Sequence, residues 1–315
     1  MNRPKTFVLV LVGPTGIGKT SVALSIAERI SCEVLSADSR QIYRYMDIGT
    51  SKPSKEELTR IPHHFIDIVD PDEDYSSGQF SEQARVTIQE ILSRDNLPVV
   101  VGGSGLYIRA LLEGFFGVDY RDEKIRKHLM RHLEEKGALA LYNELERVDP
   151  NYAKDIHPNN AKRIIRGLEI YYISGESASA LHEQKDPAPF AWMKFGLNTE
   201  RNVLYKLIDN RVDTMFRKGF VEEVKQLLAK GYSPDLNSLN SVGYKELIQF
   251  LENKIDHTEC VNRIKQNTRR YAKRQLTWFR AEKDIHWISI QPEVDHVSDI
   301  AMVIVQKFES SKKKI

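Results

Sequence analysis

Cysteine is scarce in this chain of 315 residues, and its scarcity argues against two kinds of stabilisation. Cys32 and Cys260 lie far apart, and neither belongs to a CxxC pair or to a Cys/His spacing typical of zinc sites. We therefore expect neither a disulfide framework nor a structural zinc ion.

Long apolar runs and a strong net charge are also lacking. The first residues, MNRPK, lead into only about six apolar residues, which is too few for the core of a secretion signal. No run approaches the roughly 18 residues needed to cross a bilayer, so we expect a soluble cytoplasmic protein with no membrane contact. Because the formal net charge is only +2, local basic patches would have to bind any anionic partner.

Short β-rich runs and helical patterns fill the first part of the chain. Four such runs follow in order: FVLVLV, CEVLSA, HFIDIV at 64–69, and PVVVGG. The segments KTSVALSIAERI and SEQARVTIQEILSR, which lie between some of them, have the periodicity of amphipathic helices. This alternation predicts an α/β fold with a parallel sheet covered on both faces.

The pattern changes from about residue 116 to residue 195. The stretches 122–148 and 159–174 have the spacing of amphipathic helices, and no convincing strand pattern accompanies them. We interpret 116–195 as an all-helical insertion.

The α/β pattern then resumes. WMKFGLN at 192–198 predicts a strand, and 202–231 predicts one long helix. Further elements are predicted at 244–253, 260–283 and HWISI, followed by a terminal helix. The predicted core therefore comprises 1–115 and 196–315.

The stretch GPTGIGKT carries the first chemical signal. Gly13, Gly18, Lys19 and Thr20 fit G-x-x-x-x-G-K-[ST] between a strand and a helix, as the motif requires. Its amides and helix end can hold phosphate, with Lys19 as a point charge and Thr20 as a magnesium ligand. The motif predicts a P-loop NTPase-like core whose loop consists of Gly13, Pro14, Thr15, Gly16, Ile17, Gly18, Lys19 and Thr20. It leaves open whether ATP or another diphosphate binds, and a tight turn without a ligand is the alternative.

An acid follows the second predicted strand. Asp38 should emerge at the same sheet edge as the phosphate loop, followed by Ser39, Arg40 and Gln41. A carboxylate there can take a proton from an exocyclic amine, and Gln41 can pair with an adenine edge. The alternatives are a helix N-cap or a magnesium ligand, and Asp67 is a second candidate for the latter.

Several motifs together resemble one family. The segments are GPTGIGKT, ADSRQIY, HHFIDIVDPDEDYSSGQF, VVVGGSGLY, GYKE and AKRQLTWFR. In this order they resemble the tRNA dimethylallyltransferases, also called tRNA isopentenyltransferases, in their bacterial form without a zinc finger. The resemblance implies transfer of a dimethylallyl group from dimethylallyl diphosphate to N6 of the adenosine at tRNA position 37, just 3′ of the anticodon, with release of diphosphate.

The resemblance also implies roles for individual residues. Asp38 would be the general base, Lys19 and Arg211 would join the phosphate loop in holding the diphosphate, and Ser104, where the family more often has threonine, would contact substrate. Mg²⁺ is the implied metal, with Thr20 as its ligand. The implied partner is the anticodon stem-loop, bound by a monomer through the insertion and these residues: Asp38, Ser39, Arg40, Gln41, Ser104, Arg126, Lys162, Arg163, Ile164, Ile165, Arg166, Ser241, Val242, Gly243, Tyr244, Lys245, Glu246, Lys273, Arg274, Gln275, Leu276, Thr277, Trp278, Phe279 and Arg280.

The residues alone leave alternatives open. A kinase using ATP shares the phosphate loop, and an isopentenyltransferase could act on free adenine nucleotides. The basic segments near 162 and 273 disfavour the latter, because a mononucleotide needs no such surface. These segments could also be solvated helix faces, and Arg211 could form a surface salt bridge with Asp209 or Asp213.

Overall fold

The computed structural model describes residues 6–114, 122–183, 186–291 and 294–312. Its strands are β1 Phe7–Val12, β2 Cys32–Ala37, β3 His63–His64, β4 Leu97–Gly102, β5 Ala191–Asn198 and β6 Ile285–Ser289. Its helices are α1 Lys19–Ala27, α2 Lys55–Arg60, α3 Ser77–Ser93, α4 Gly105–Glu113, α5 Glu123–Val148, α6 Pro150–Lys154, α7 Ala161–Ser174, α8 Ala178–Glu183, α9 Arg201–Arg217, α10 Phe220–Ala229, α11 Tyr244–Leu251, α12 His257–Arg280 and α13 Val297–Lys312.

The strands form one parallel sheet in the order β3-β2-β4-β1-β5-β6. Every residue of β1 and β2 is buried, as expected for strands whose two faces are both covered. The predicted α/β fold with a parallel sheet is therefore confirmed.

Strand register brings the site residues to one edge. Val12 of β1 and Ala37 of β2 both lie opposite Gly102 of β4. Because the strands are parallel, the chain leaves all of them on the same side. The phosphate loop, Asp38 and Ser104 consequently start from neighbouring points.

The predicted strand at 64–69 is wrong for most of its length. Only His63–His64 forms a strand with β2, apart from an isolated bridge between Tyr43 and Val69. Phe65 has φ 65° and Asp67 has φ 56°, and this left-handed backbone interrupts an extended run.

Two predicted helices are interrupted by glycine. The segment 202–231 forms α9 and α10 rather than one helix, because Gly219 has φ 95°. Within α5, Gly137 has φ 78° and non-helical backbone. Both residues occupy the left-handed region, which glycine adopts without steric penalty.

The chain divides into two compact units. The first comprises Met1–Tyr75, Glu82–Arg109 and Pro189–Ile315, and the second comprises Ser76–Ser81 and Ala110–Ala188. The predicted boundary between 195 and 196 would fall inside β5, whereas the whole strand belongs to the first unit. The predicted start of the insertion, 116, lies outside the described residues.

Each unit has its own apolar core. In the first unit, Ile208 packs in a cluster with β1, α1 and α13, while Val212 packs in a second cluster with α10, α11 and α12. In the second unit, α5, α6 and α7 share a cluster that includes Leu145 and Leu168. Among the described residues, none of the helices combines the length and apolar character needed to cross a bilayer.

Candidate active site

The phosphate loop connects β1 to α1. Gly16 has φ 83° and Gly18 has φ 92°, so the turn uses left-handed backbone at both positions. Ile17, between them, is 3% exposed and packs in the core, which anchors the loop. Gly18 precedes the first turn of α1, whose amides and dipole favour an anion.

Lys19 bends back over this loop. Its Nζ donates to the carbonyl oxygens of Gly13 at 3.0 Å and Pro14 at 2.9 Å. Burial lowers the pKa of Lys19 to about 8, with Arg211 acting in the same direction and Asp38 opposing it. Because its hydrogen bonds go to neutral carbonyl groups, the Lys19 ammonium can still bind an anion.

Gln275 of α12 braces the tip of the loop. Its Oε1 accepts from the Thr15 amide at 2.8 Å, and its Nε2 donates to the Gly103 carbonyl at 3.0 Å. A Cβ at Gly103 would lie 2.1 Å from that Nε2, so the contact requires glycine there. Gln275 therefore ties the phosphate loop to the end of β4.

Asp38 begins a turn and is not a helix N-cap. Its Oδ1 accepts from the Arg40 amide at 2.9 Å, and the next helix, α2, starts only at Lys55. Ser104 steadies the turn from β4, because its Oγ accepts from the Ser39 amide at 3.0 Å. The predicted N-cap alternative is thus wrong.

Gln41 is used inside the protein. Its Oε1 accepts from Ser36 Oγ at 2.9 Å, while its Nε2 donates to the carbonyls of Ser51 at 3.1 Å and Thr50 at 3.4 Å. Both ends of the amide are already engaged. Pairing of Gln41 with an adenine edge stays a prediction, and it would require these hydrogen bonds to be exchanged.

Arg211 points inward between the two core clusters. It lies on α9 within one turn of Ile208 and Val212, both of which are buried. Its Nη2 reaches the Thr50 carbonyl at 3.5 Å, but its buried Nε has no hydrogen-bond partner among the described residues. Burial lowers the pKa of Arg211, whereas Asp38 raises it.

The surface salt bridge considered for Arg211 does not form. Asp209 pairs with Arg269 at 2.7 Å, and Asp213 pairs with Lys265 at 2.6 Å. Both candidate carboxylates are thus neutralised by other cations. The Arg211 side chain instead lines the cavities at the sheet edge.

Two cavities meet at these residues. The first, of about 320 Å³, is lined by the phosphate loop from Thr15 to Thr20 and by Gln275. The second, of about 300 Å³, is lined by the segment 240–245 and by residues of α12. The lining residues common to both are Thr15, Asp38, Thr50 and Arg211. A carboxylate and an arginine therefore stand where the two spaces adjoin.

The predicted tRNA contacts in the first unit divide by exposure. Lys273, Arg274, Thr277 and Arg280 are exposed along α12, and Arg274 lies over the Tyr271 ring at 5.7 Å. Ser241, Val242, Lys245, Leu276 and Trp278 are partly exposed. Those buried at 6% exposure or less are Tyr244, Glu246, Gln275 and Phe279. The side chains of this last group are packed inside the protein, although Tyr244 and Gln275 also line the two cavities, and their contacts with tRNA stay a prediction.

The second unit shows the same division. Lys162 and Arg163 are exposed on α7, whereas Ile164 and Ile165 are buried in its core. Arg126 and Arg166 both pair with the buried Glu169, at 3.7 Å and 2.9 Å. Glu169 Oε1 is buried without a hydrogen-bond partner among the described residues.

Sequence reasoning missed the segment from Gly49 to Pro53. Thr50, Ser51 and Lys52 line the first cavity, and Lys52 forms ion pairs with Asp47 and with Asp67. Asp67 is thus the partner of a lysine within the fold. The available signal was the run GTSKP, which has turn residues soon after Asp38.

Comparisons with known proteins agree with one another. The sequence model of the family described as IPP transferase matches residues 41–282. A tRNA dimethylallyltransferase of Pelotomaculum thermopropionicum is 46% identical over 290 residues, which are 91% of this chain and 92% of that protein.

Two solved structures extend this similarity to the fold. The full-length tRNA isopentenylpyrophosphate transferase of Bacillus halodurans is 40% identical, with a TM-score of 0.72 over 98% of both chains. A eukaryotic dimethylallyltransferase acting on tRNA is 30% identical, with a TM-score of 0.83 over 97% of this chain and 80% of that chain. This chain belongs to the IPP transferase family.

Proposed function

We propose that this protein transfers a dimethylallyl group from dimethylallyl diphosphate to N6 of the adenosine at tRNA position 37, 3′ of the anticodon. The observation that carries this proposal is the position of Asp38. Its side chain lines both the cavity of the phosphate loop and the adjoining cavity. A base in that position can take a proton from an adenosine in the second cavity while the diphosphate donor lies in the first.

The donor side must stabilise a leaving diphosphate. Lys19 and Arg211 bring positive charge to the first cavity, and the amides at the start of α1 add fixed dipoles. The Nε of Arg211, which has no partner among the residues that the structure describes, is a donor that a phosphate oxygen would satisfy. These groups favour breakage of the bond between the allylic carbon and the diphosphate oxygen.

Magnesium fits the oxygen donors of this cavity. Thr20 lines it with a hydroxyl group, which is a hard ligand of the kind that Mg²⁺ prefers. Thr20 would hold the ion together with diphosphate oxygens and water. A bound ion would supply further neutralisation of the leaving group.

The acceptor side needs a base. The N6 lone pair of adenine is delocalised into the ring, so the amine is a weak nucleophile until its proton is removed. As the bond from N6 to the allylic carbon forms, a proton passes from N6 to an Asp38 carboxylate oxygen. Ser104 holds the turn that follows Asp38, which fixes the direction of the base.

The adenosine must leave its loop to reach the second cavity, because a stacked base cannot enter a protein pocket. Exposed cations on α12 can hold the tRNA backbone: Arg274 lines that cavity, and Lys273 precedes it in the chain. In the second unit, Lys162 and Arg163 are suited to the same task, and we assign tRNA binding to that unit as well. We further propose action in the cytoplasm as a monomer.

The comparisons disfavour the two alternatives, a kinase that uses ATP and an isopentenyltransferase that acts on free adenine nucleotides. The relatives named above as tRNA dimethylallyltransferases favour an allylic donor over ATP and tRNA over free nucleotides. The buried arginine is also compatible with a kinase, so a direct test with ATP is worthwhile.

The test offers both donors to the same acceptor. Purified protein is incubated with Mg²⁺ and unmodified tRNA, and with either dimethylallyl diphosphate or γ-labelled ATP. Nucleosides from the digested tRNA are then analysed by mass. We expect a dimethylallyl increment on adenosine with the first donor and no label transfer with the second.

A matched acceptor completes the design. Adenosine monophosphate replaces tRNA in a parallel reaction, and little product is expected from it. Phosphoryl transfer from ATP, or faster reaction with the mononucleotide than with tRNA, would refute the proposal.

A further inference from the structure

One buried carboxylate near the site has no role in the chemistry described above. Glu223 lies on α10 and is 9% exposed. Its Oε2 accepts from the amides of Asp47 at 2.9 Å and Ile48 at 2.6 Å. Its Oε1 accepts from the Gly49 amide at 3.1 Å and from Tyr244 Oη at 2.7 Å.

The residues 47–49 depend on this carboxylate. Three consecutive backbone amides donate to the Glu223 carboxylate. They form a concave anion-binding site in which the anion is a side chain of the protein itself. Buried amides without a partner would each carry a desolvation penalty. A Cβ at Gly49 would lie 2.2 Å from the Phe220 ring and 2.6 Å from the Tyr244 ring, so the loop fits tightly against α10 and α11.

The same residues form the wall of the second cavity. Gly49 and Thr50 line it from one segment, while Gly243 and Tyr244 line it from another. Thr50 also lines the first cavity, and its carbonyl accepts from Arg211 Nη2 at 3.5 Å. One carboxylate therefore holds two segments of the wall of the second cavity.

We infer that Glu223 is a positioning residue for the reaction: its carboxylate fixes the loop 47–50 and Tyr244 so that the acceptor cavity keeps the shape that presents the adenine amine to Asp38. This inference rests on the proposed function. It assigns no contact between Glu223 and either substrate, because the carboxylate is occupied by the protein.

The variant Glu223→Gln tests this role. An amide offers one acceptor oxygen in place of two, and its NH₂ group would face backbone donors. We expect kcat/KM for tRNA at saturating donor to fall by about tenfold to a hundredfold, because small misplacements near a reacting pair are costly. Diphosphate affinity, measured by calorimetry, should stay within about twofold, since the phosphate loop is not held by Glu223.

Two controls separate positioning from general loss of stability. Glu222→Gln alters the exposed neighbour, which forms only a surface pair with Lys225. Glu33→Gln alters another buried, hydrogen-bonded carboxylate at the start of β2, which is not among the residues that line either cavity. Both should retain turnover within about twofold at a temperature where they are folded, even though Glu33→Gln loses stability.

Amide hydrogen exchange at 47–49 provides a readout that does not depend on activity. Faster exchange in Glu223→Gln, together with the loss of kcat/KM, supports the inference. Unchanged turnover in a folded variant, or an equal loss in Glu33→Gln, overturns it. If the wild-type protein transfers no dimethylallyl group, the proposed function fails, while exchange still reports whether Glu223 holds the loop.

A milder variant covers the case in which Glu223→Gln does not fold. Tyr244→Phe removes one of the four hydrogen bonds and keeps the ring. A smaller decrease in kcat/KM for tRNA with unchanged diphosphate affinity is expected. Wild-type kinetics in Tyr244→Phe, with wild-type exchange at Gly49, would overturn the inference in that case.

Discussion

Two carboxylates near opposite ends of β2 have different surroundings. Glu33, at the start of the strand, has a side chain that is 5% exposed. It accepts from Arg94 Nε and Nη2 at 2.9 Å each and from Asn96 at 2.9 Å, and it shares a hydrogen bond with His64 at 2.8 Å. Asp38, just after the strand, instead lines the two cavities, which Arg211 also lines.

The difference indicates that Glu33 contributes to the stability of the fold, whereas Asp38 contributes to function. Around Glu33, the hydrogen-bonding groups of the fold satisfy one another, which increases the free energy of unfolding. Around Asp38, Arg211 Nε has no partner within the described part of the chain, and Lys19 Nζ donates to carbonyl oxygens, so positive charge remains for a ligand. Unsatisfied buried charge at one sheet edge therefore marks the functional end of the strand.

Asp38→Asn gives the largest expected effect. The asparagine oxygen can still accept from the Arg40 amide, so the turn should persist, but no base remains. We expect single-turnover transfer to fall by about a hundredfold or more with tRNA affinity largely retained. Glu33→Gln is the matched control, with the reverse pattern of lower stability and normal transfer. Near-normal transfer by Asp38→Asn would remove the base from the mechanism.

Arg211→Ala should have the next largest effect. Loss of a cation aimed at the leaving group lowers transfer by about a hundredfold. Stability should hold or rise, because the variant removes a half-buried cation whose buried Nε has no partner among the described residues. The control is Arg217→Ala on the exposed face of α9, which should leave transfer unchanged. A severe loss of stability in Arg211→Ala would show that Arg211 is structural, as Arg94 is.

The sequence predicted the parts of the site that follow directly from strand ends. Gly13 and Asp38 could be placed together because parallel strands deliver their carboxyl ends to one edge. Ser104 follows β4 at the same edge, although its hydrogen bond to the Ser39 amide depends on the detailed turn. Local pattern and topology were sufficient for these residues.

Contacts between segments that lie far apart in the chain could not be predicted from the sequence. Gln275 belongs to a basic helix, and nothing local shows that it faces inward to meet Thr15, which is 260 positions away. Glu223 is similar, because its partners 47–49 are contributed by a loop with no regular periodicity. The strand predicted at 64–69 failed because Phe65 and Asp67 adopt left-handed backbone that alternation of residue types does not reveal.

The smallest expected effect is the pH dependence of stability, which tests the role of Glu33 at the start of β2. Hydrogen bonds from Arg94, aided by Asn96 and His64, lower the pKa of Glu33 from 4.5 to about 2. Since the folded pKa lies below the unfolded one, the stabilisation is complete above about pH 5 and is lost as the pH falls towards 2. This shift corresponds to about 3 kcal/mol at neutral pH.

Urea unfolding between pH 3 and 7 measures this contribution as a difference between proteins. The gap in unfolding free energy between the wild type and Glu33→Gln should be largest near pH 7 and should narrow steadily below pH 5, because protonated Glu33 resembles glutamine in charge. Subtracting the variant removes the titration of the other carboxylates, which both proteins share. A gap that stays constant with pH would mean that packing, rather than the charge of Glu33, stabilises the start of β2.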